Sequence, residues 1–593
     1  MRRLFFLLLL ATVLGVVLAG SGYLLLRHEA PRWGAAKVLT LTLDAPLEDQ
    51  AQGPVLPFFG GEEPASIALL HRGFLAARTD PSVVGVALYI QDAAFGLAKA
   101  QELRRQIAAL AATGKPVHCY LETAGEGGNG TLEYYLASAC SRVALAPAGE
   151  INLLGLYADS PFLRGGLDKL RIEPSFLTAG EFKSAGEIFT EVQHSPAAKV
   201  ALDALLDSFY GQIVDGIAAS RKRDAAAVRA WVDAAPLSAT AALDKGLIDE
   251  LAYPDEFRAS LDKLGEGDAE QTSFLDYARR GGGRLPGGKR VAILFAQGAI
   301  VRGGGGSDPF ASEAMLGSAD MARELRDLAE DDAVVAVVLR VDSPGGSALA
   351  SDLILREVEQ LRAKKPVVVS MSDVAASGGY YIAARATRIV AEPATITGSI
   401  GVVTGKLATG RFQQELLGVT HDPLMRGANA DLYSALKPFD ERQTALMRGR
   451  VNEIYGRFLD HVAEGRKLAR SAVEAVAGGR VWTGNDALAA GLVDELGGLD
   501  RAVELAREAA NIPDSEKLPL VYLPKAPSFL ELFSKAGSVG LEARLLGRVS
   551  DRLEERLAAR LAARYGALFG AARERPQLEL ELDAGWLELA RGL

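Results

Sequence analysis

The sequence predicts an α/β protein built from two tandem copies of one domain, and three observations carry that prediction. The first is an internal repeat. Val83 to Ile90 reads against Val334 to Val341, Lys115-Pro116-Val117 against Lys365-Pro366-Val367, Tyr134-Tyr135 against Tyr380-Tyr381, and Gly246 to Leu251 against Gly491 to Leu496. Offsets between such anchors drift only from 245 to 251 residues, which duplication explains and chance does not. The second is the alternation, within each copy, of short β-branched runs with amphipathic helical segments, the pattern of α/β units around a largely parallel sheet. The third is size: 593 residues exceed what one core usually supports, and 49% apolar with 24% charged residues is the composition of a folded globular chain.

In chain order, Leu4 to Leu26 comes first, an uncharged run of 23 residues after Arg2 and Arg3. As a helix it would span roughly 34 Å, enough for a hydrocarbon core of about 30 Å, so a transmembrane anchor is the favoured reading and a cleaved signal peptide the alternative. Residues 37–264 form the first repeat. Residues 265–288, rich in glycine and charge, read as a linker. Residues 289–513 form the second repeat, opening with the strand Val291 to Phe295. Within it, Val334 to Val341, Pro366 to Ser370 and Arg388 to Ala391 read as strands, and Ala348 to Lys364 as a helix. Residues 518–593 form a helical extension. There Leu541, Leu545, Val549, Leu553, Leu557, Leu561 and Tyr565 recur at intervals of four, as one apolar face. That face suits docking on the protein itself or on a sister subunit, with a membrane surface as the alternative.

Composition removes several classes of function. A net charge of −10 without a basic stripe argues against a nucleic-acid partner. The two cysteines, Cys119 and Cys140, lack metal-ligand spacing, so no zinc site is expected; two buried free thiols are the favoured reading and a disulfide the alternative. Gly283 to Lys289 imitates a P-loop, but Arg290 stands where Ser or Thr is needed and a strand follows instead of a helix. No cofactor motif is present. Ser434 to Lys437 fits a Ser-x-x-Lys pattern without its companion elements, and so short a match recurs by chance.

The two copies differ where chemistry would sit. Ser377-Gly378-Gly379 in the second copy aligns with Thr131-Leu132-Glu133 in the first, although the flanking frame persists. The glycines of Asp342-Ser343-Pro344-Gly345-Gly346-Ser347 are likewise replaced, by Ala94 and Phe95. A serine at a helix start often only caps it. Glycines lost together with that serine point instead to one function, a nucleophile beside an oxyanion hole whose donors are the N–H groups of Gly345 and Gly378. No Gly-x-Ser-x-Gly elbow surrounds Ser377, and the six histidines fall in no triad motif. The base must then be another group, and a desolvated lysine is the known substitute. Gly180-Glu181-Phe182-Lys183-Ser184-Ala185 supplies one in the first copy, where the second has Tyr433.

On these residues, together with Thr397-Gly398-Ser399-Ile400-Gly401, the chain resembles signal peptide peptidase A of the long, duplicated bacterial type, a Ser/Lys protease family with the ClpP/crotonase fold. The resemblance runs from the apolar N-terminus to about residue 500. It implies Ser377 as nucleophile, Lys183 as general base donated by the opposite repeat, and Ser399 as the hydroxyl that orients the lysine. It further implies a homotetramer anchored in the bacterial cytoplasmic membrane with its catalytic domains on the outer face, degrading released signal peptides and other membrane-associated peptides. Two other classes remain open on the sequence: an inert oligomeric scaffold of this fold, and a crotonase-type acyl-CoA enzyme.

Overall fold

A computed structural model describes residues 36–51, 64–264, 269–280, 288–305, 315–513, 515–516 and 518–524. The apolar run 4–26 and the periodic segment 541–571 lie outside these residues. Among the described residues no helix is long and apolar enough to cross a membrane.

Each copy folds around a parallel sheet, and the two sheets share one strand order. The first runs Glu250–Leu251, Arg142–Leu145, Val117–Leu121, Val83–Ile90, Lys37–Leu43, Glu270–Ser273. The second runs Glu495–Leu496, Arg388–Ala391, Val367–Ala376, Val334–Ser343, Arg290–Gln297, Leu520–Leu523, with Ile396–Gly398 and Val481–Thr483 added beside the far end of Val367–Ala376. Sheets covered by helices on both faces need strands apolar on both sides. Val367–Ala376 meets that demand, with all ten residues buried.

The duplication extends to individual side-chain bonds. The Tyr134 hydroxyl donates to Leu247 O at 2.8 Å and its counterpart Tyr380 to Leu492 O at 2.9 Å. Arg221 pairs with Asp249 as Arg466 pairs with Asp494. The helices Pro196–Arg221 and Glu441–Arg466 both end on a left-handed lysine, Lys222 and Lys467.

Three expectations need correction. The stretch 265–288 is not wholly linker, because Glu270–Ser273 pairs with Lys37–Leu43 as the last strand of the first sheet and Phe274–Arg280 is a helix on Ile67–Thr79. Backbone pairing at a sheet edge needs no apolar pattern, so this polar strand was invisible. The extension from 518 likewise begins with a strand, Leu520–Leu523, which pairs with Arg290–Gln297. Finally, Cys119 and Cys140 are joined in a disulfide, their Cα atoms 5.9 Å apart. Cys119 lies on the strand beside Arg142–Leu145, and the turn into that strand brings Cys140 alongside. The strand Pro366 to Ser370 runs further than expected, to Ala376, whereas Arg388–Ala391 and the helix Ala348–Lys364 stand as read.

The repeats are locked by buried charge. Arg340, fully buried in the second sheet, bonds Asp49 and Glu102 of the first repeat and the hydroxyls of Ser370 and Ser372. Arg105 holds Glu392 at 2.8 and 3.0 Å. Glycine is needed at 498 because a Cβ there would stand 2.6 Å from an oxygen of both Glu102 and Glu392, which crowds the two carboxylates together. Burial and then the Glu102 charge push Glu392 up to about 7. Its folded value therefore exceeds its unfolded one, and the native state holds the extra proton between about 4.5 and 7. This contribution to stability is complete below the unfolded value and is lost as pH rises through about 7. Glu392→Gln cannot ionise, so the loss of melting temperature between pH 5 and pH 8 should be smaller in the variant by several degrees. Identical melting curves against pH would count against a proton held on Glu392 in the folded state.

Candidate active site

Ser377 sits where the strand Val367–Ala376 turns into the helix Gly378–Ala383, with φ 53° and ψ −116°. A non-glycine residue in that region is strained and persists only where its surroundings hold it. The Ser377 N–H donates to Gly398 O at 2.9 Å, which fixes the turn. Gly345, with φ +108°, passes directly beneath: a Cβ on it would lie 2.6 Å from Gly378 N and 2.8 Å from Ser377 Cβ. A Cβ on Gly378 would meet Ser351 Oγ at 2.6 Å and Gly346 N at 3.2 Å. Glycine is thus required on both sides of the nucleophile turn, and the two candidate oxyanion donors are neighbours. The Gly345 N–H itself donates to Ser343 Oγ at 3.2 Å, a bond that must be exchanged before it can serve an oxyanion. Gly346, which sequence reasoning did not single out as a donor, has its nitrogen on the Gly378 side of the same turn.

Lys183 arrives from the first repeat on a strand that crosses to the second. Glu173–Ala179 pairs antiparallel with Val402–Ala408 in the register Ala179 to Val402. The loop after one strand and the loop before the other are therefore adjacent, which brings Lys183 to Ser399. Lys183 is 5% exposed, with Nζ 2.9 Å from Ser399 Oγ and 3.2 Å from Ser377 Oγ. Ser399 also has a positive φ, 50°, and its N–H donates to Arg480 O at 2.8 Å. All five sequence-derived site residues converge within one chain.

Sequence reasoning missed the shelf that holds the lysine. Phe182 N–H donates to Gly478 O at 2.8 Å, and Gly180, at φ +111°, would put a Cβ 2.4 Å from the Gly478 carbonyl. A Cβ on Gly479 would lie 2.5 Å from Lys183 Cβ and 2.6 Å from its backbone nitrogen. Arg480 then closes the shelf, its guanidinium over the Phe182 and Trp482 rings at 5.5 and 4.1 Å. The paired glycines were the only visible signal. Gly479→Ala, at φ +81° and against backbone, should push the lysine off its partners and lower kcat at least tenfold, with KM little changed. Steady-state kinetics on a purified variant would check this, and an unchanged kcat would show that the shelf does not hold the lysine in place.

Three of the described histidines are engaged elsewhere. His71 bonds Asp500 at 2.7 Å and Tyr522 at 2.9 Å, His421 bonds Gln413, and His461 bonds Asp352. Among the described residues no cluster of His, Cys, Asp and Glu could hold a metal ion.

A strained serine at a strand-to-helix turn, flanked by glycine N–H groups and touching a buried amine, is the layout of a hydrolase acting through a serine nucleophile. Comparison with known proteins narrows that class. Residues 109–267 and 359–513 match the profile of Peptidase family S49, once in each repeat, and the chain belongs to that family. It is 35% identical to the chloroplastic serine protease SPPA of Arabidopsis thaliana over 525 residues, covering 86% of this chain and 75% of the relative. It is 32% identical to Protease 4 of Salmonella typhi over 482 residues, covering 78% and 75%. Looser likeness in coordinates links it to a mutant ClpP1 from Listeria monocytogenes, at 14% identity and a TM-score of 0.24, covering 36% of this chain and 94% of that one. The protein is a duplicated serine protease, which sets aside the inert-scaffold and acyl-CoA readings.

Proposed function

We propose that this protein is a membrane-anchored endopeptidase with a Ser377/Lys183 dyad that degrades released signal peptides and other membrane-associated peptides. The observation that carries the reading is the Lys183 amine lying within hydrogen-bond reach of Ser377 and Ser399 at once, 3.2 and 2.9 Å away. A lysine acts as a base only as the neutral amine, and Ser399 offers that amine a fixed partner. In acylation, Lys183 takes the Ser377 proton as Oγ attacks the peptide carbonyl. Negative charge gathers on the carbonyl oxygen, facing the N–H groups of Gly378 and the Gly345–Gly346 turn. Collapse breaks the C–N bond, and the Lys183 ammonium returns its proton to the leaving amine. Water then loses a proton to Lys183 and attacks the ester, whose C–O bond to Ser377 breaks to release the peptide acid as the Lys183 ammonium returns the proton to Ser377 Oγ. The anchor falls to residues 4–26, with the repeats on the outer face of the cytoplasmic membrane and four chains in the assembly. Incubating the full chain in detergent with a synthetic signal peptide tests the reading. Internal cleavage products should appear with wild type and be absent with Ser377→Ala. A peptide left intact by wild type would sink it.

A further inference from the structure

Beyond Lys183, the first repeat sends a second lysine into the second repeat. Lys99 lies in the first turn of the helix Leu97–Ala111 and is 6% exposed. Its Nζ stands 2.7 Å from Asp342 Oδ2 and 3.4 Å from Asp373 Oδ2. Both carboxylates belong to the strands that build the active site. Asp342 lies three residues before Gly345 and Asp373 four residues before Ser377. Between these strands the register jumps: Val341 faces Met371 but Ser343 faces Ala375. Three residues of one strand, Ser372 to Val374, thus lie opposite Asp342 alone, a bulge that re-aims everything after it. The Asp342 carboxylate also accepts the Val374 N–H at 3.1 Å, inside that bulge.

The contact stands where the second repeat caps its own helix. In the second repeat, Ser347 caps its own helix, its Oγ accepting the Ala350 N–H at 3.3 Å. In the first repeat the equivalent cap is Gly96, and Asp373 of the other repeat accepts the N–H groups of Gly96 and Lys99 at 3.0 and 2.9 Å. Only glycine fits at 96, since a Cβ would lie 2.4 Å from Asp373 Cγ. The charges bearing on Lys99 are Asp342, Asp373 and, further off, Asp49, which Arg340 already binds. Without the ammonium, Asp342 and Asp373 would be two like charges buried at one bulge.

We propose that Lys99 is a positioning residue for catalysis: by bridging Asp342 and Asp373 across the bulge, it sets the Gly345–Gly346 turn and Ser377 at their working separation. The degenerate repeat thereby completes the nucleophile's geometry as well as donating the base. This rests on the reading of Ser377 as nucleophile.

Full-length Lys99→Met, assayed for peptide cleavage from pH 5.5 to 8.5 beside wild type, tests it. At pH 8 kcat should fall about 30-fold or more while KM stays within about threefold. The deficit should shrink as pH falls, because protonating one carboxylate relieves the repulsion. Lys99→Met/Asp342→Asn, with one negative charge removed, should regain at least tenfold in kcat at pH 8, and it is the variant to assay if Lys99→Met does not accumulate folded. A Lys99→Met kcat within twofold of wild type, or a deficit flat across pH with no recovery in the double variant, overturns the proposal. An inactive wild type would instead defeat the peptidase reading itself.

Discussion

Replacing Lys183 with methionine should lower kcat for peptide cleavage by about 10³-fold or more, leaving KM nearly unchanged. Methionine keeps the unbranched apolar body of the lysine and lacks only its terminal amine, so the loop on Gly478 and Gly479 should hold its course. What disappears is the acceptor for the Ser377 proton, and His71, His421 and His461 are committed elsewhere, to Asp500, Tyr522, Gln413 and Asp352. Groups that act as one unit are not additive. Ser377→Ala/Lys183→Met should therefore be no slower than Ser377→Ala alone. A double variant that loses the product of the two single effects would mean that the lysine and serine work independently. Ser399→Ala should cost less than either, since it removes the amine's partner and leaves the amine.

The second large effect concerns stability. Arg340→Met should destabilise the folded chain by about 3–5 kcal/mol, because it strands Asp49 and Glu102 as buried carboxylates. Arg340 comes from the second sheet and both acids from the first repeat, so the loss falls on the packing of one repeat against the other. In the native protein Asp49 is buried, which alone would raise its pKa, but Arg340 and Lys99 pull it below the usual carboxylate range. Once the arginine is gone, burial dominates and the folded-state value of Asp49 rises above the unfolded one. The stability of the variant should then be greatest at low pH and fall as pH rises, so its deficit relative to wild type should widen between pH 5 and pH 8. Thermal melting at several pH values reads this directly. A deficit below about 1 kcal/mol would show that the network relaxes by admitting water.

How much of this was legible beforehand depended on range. Ser377 and Lys183 stood out because duplication supplies an internal control: each repeat shows what the scaffold needs, so whatever one repeat alone has kept is a candidate for chemistry. The helix Ala348–Lys364 was readable to its ends, since Ser347 caps it and Lys365-Pro366 stops it. What stayed hidden was set by pairs far apart in the chain. Arg340 meets Asp49 across 291 residues and Lys99 meets Asp342 across 243, and no local pattern marks such partners. The Glu270–Ser273 strand was hidden for another reason, its pairing being made by backbone alone. The Gly478–Gly479 shelf shows in the sequence only as a pair of glycines, because only the approach of Lys183 explains why side chains are excluded there.

Two half-sites, one from each repeat, form a single catalytic pair, and that pairing is open to direct measurement. The quantity to read is the rate at which a fluorophosphonate modifies the full-length protein, with the modified residue mapped by mass spectrometry. One adduct is expected, on Ser377, forming at least 100-fold more slowly in Lys183→Met. An adduct on another residue, or equal rates with and without the lysine amine, would contradict the pairing.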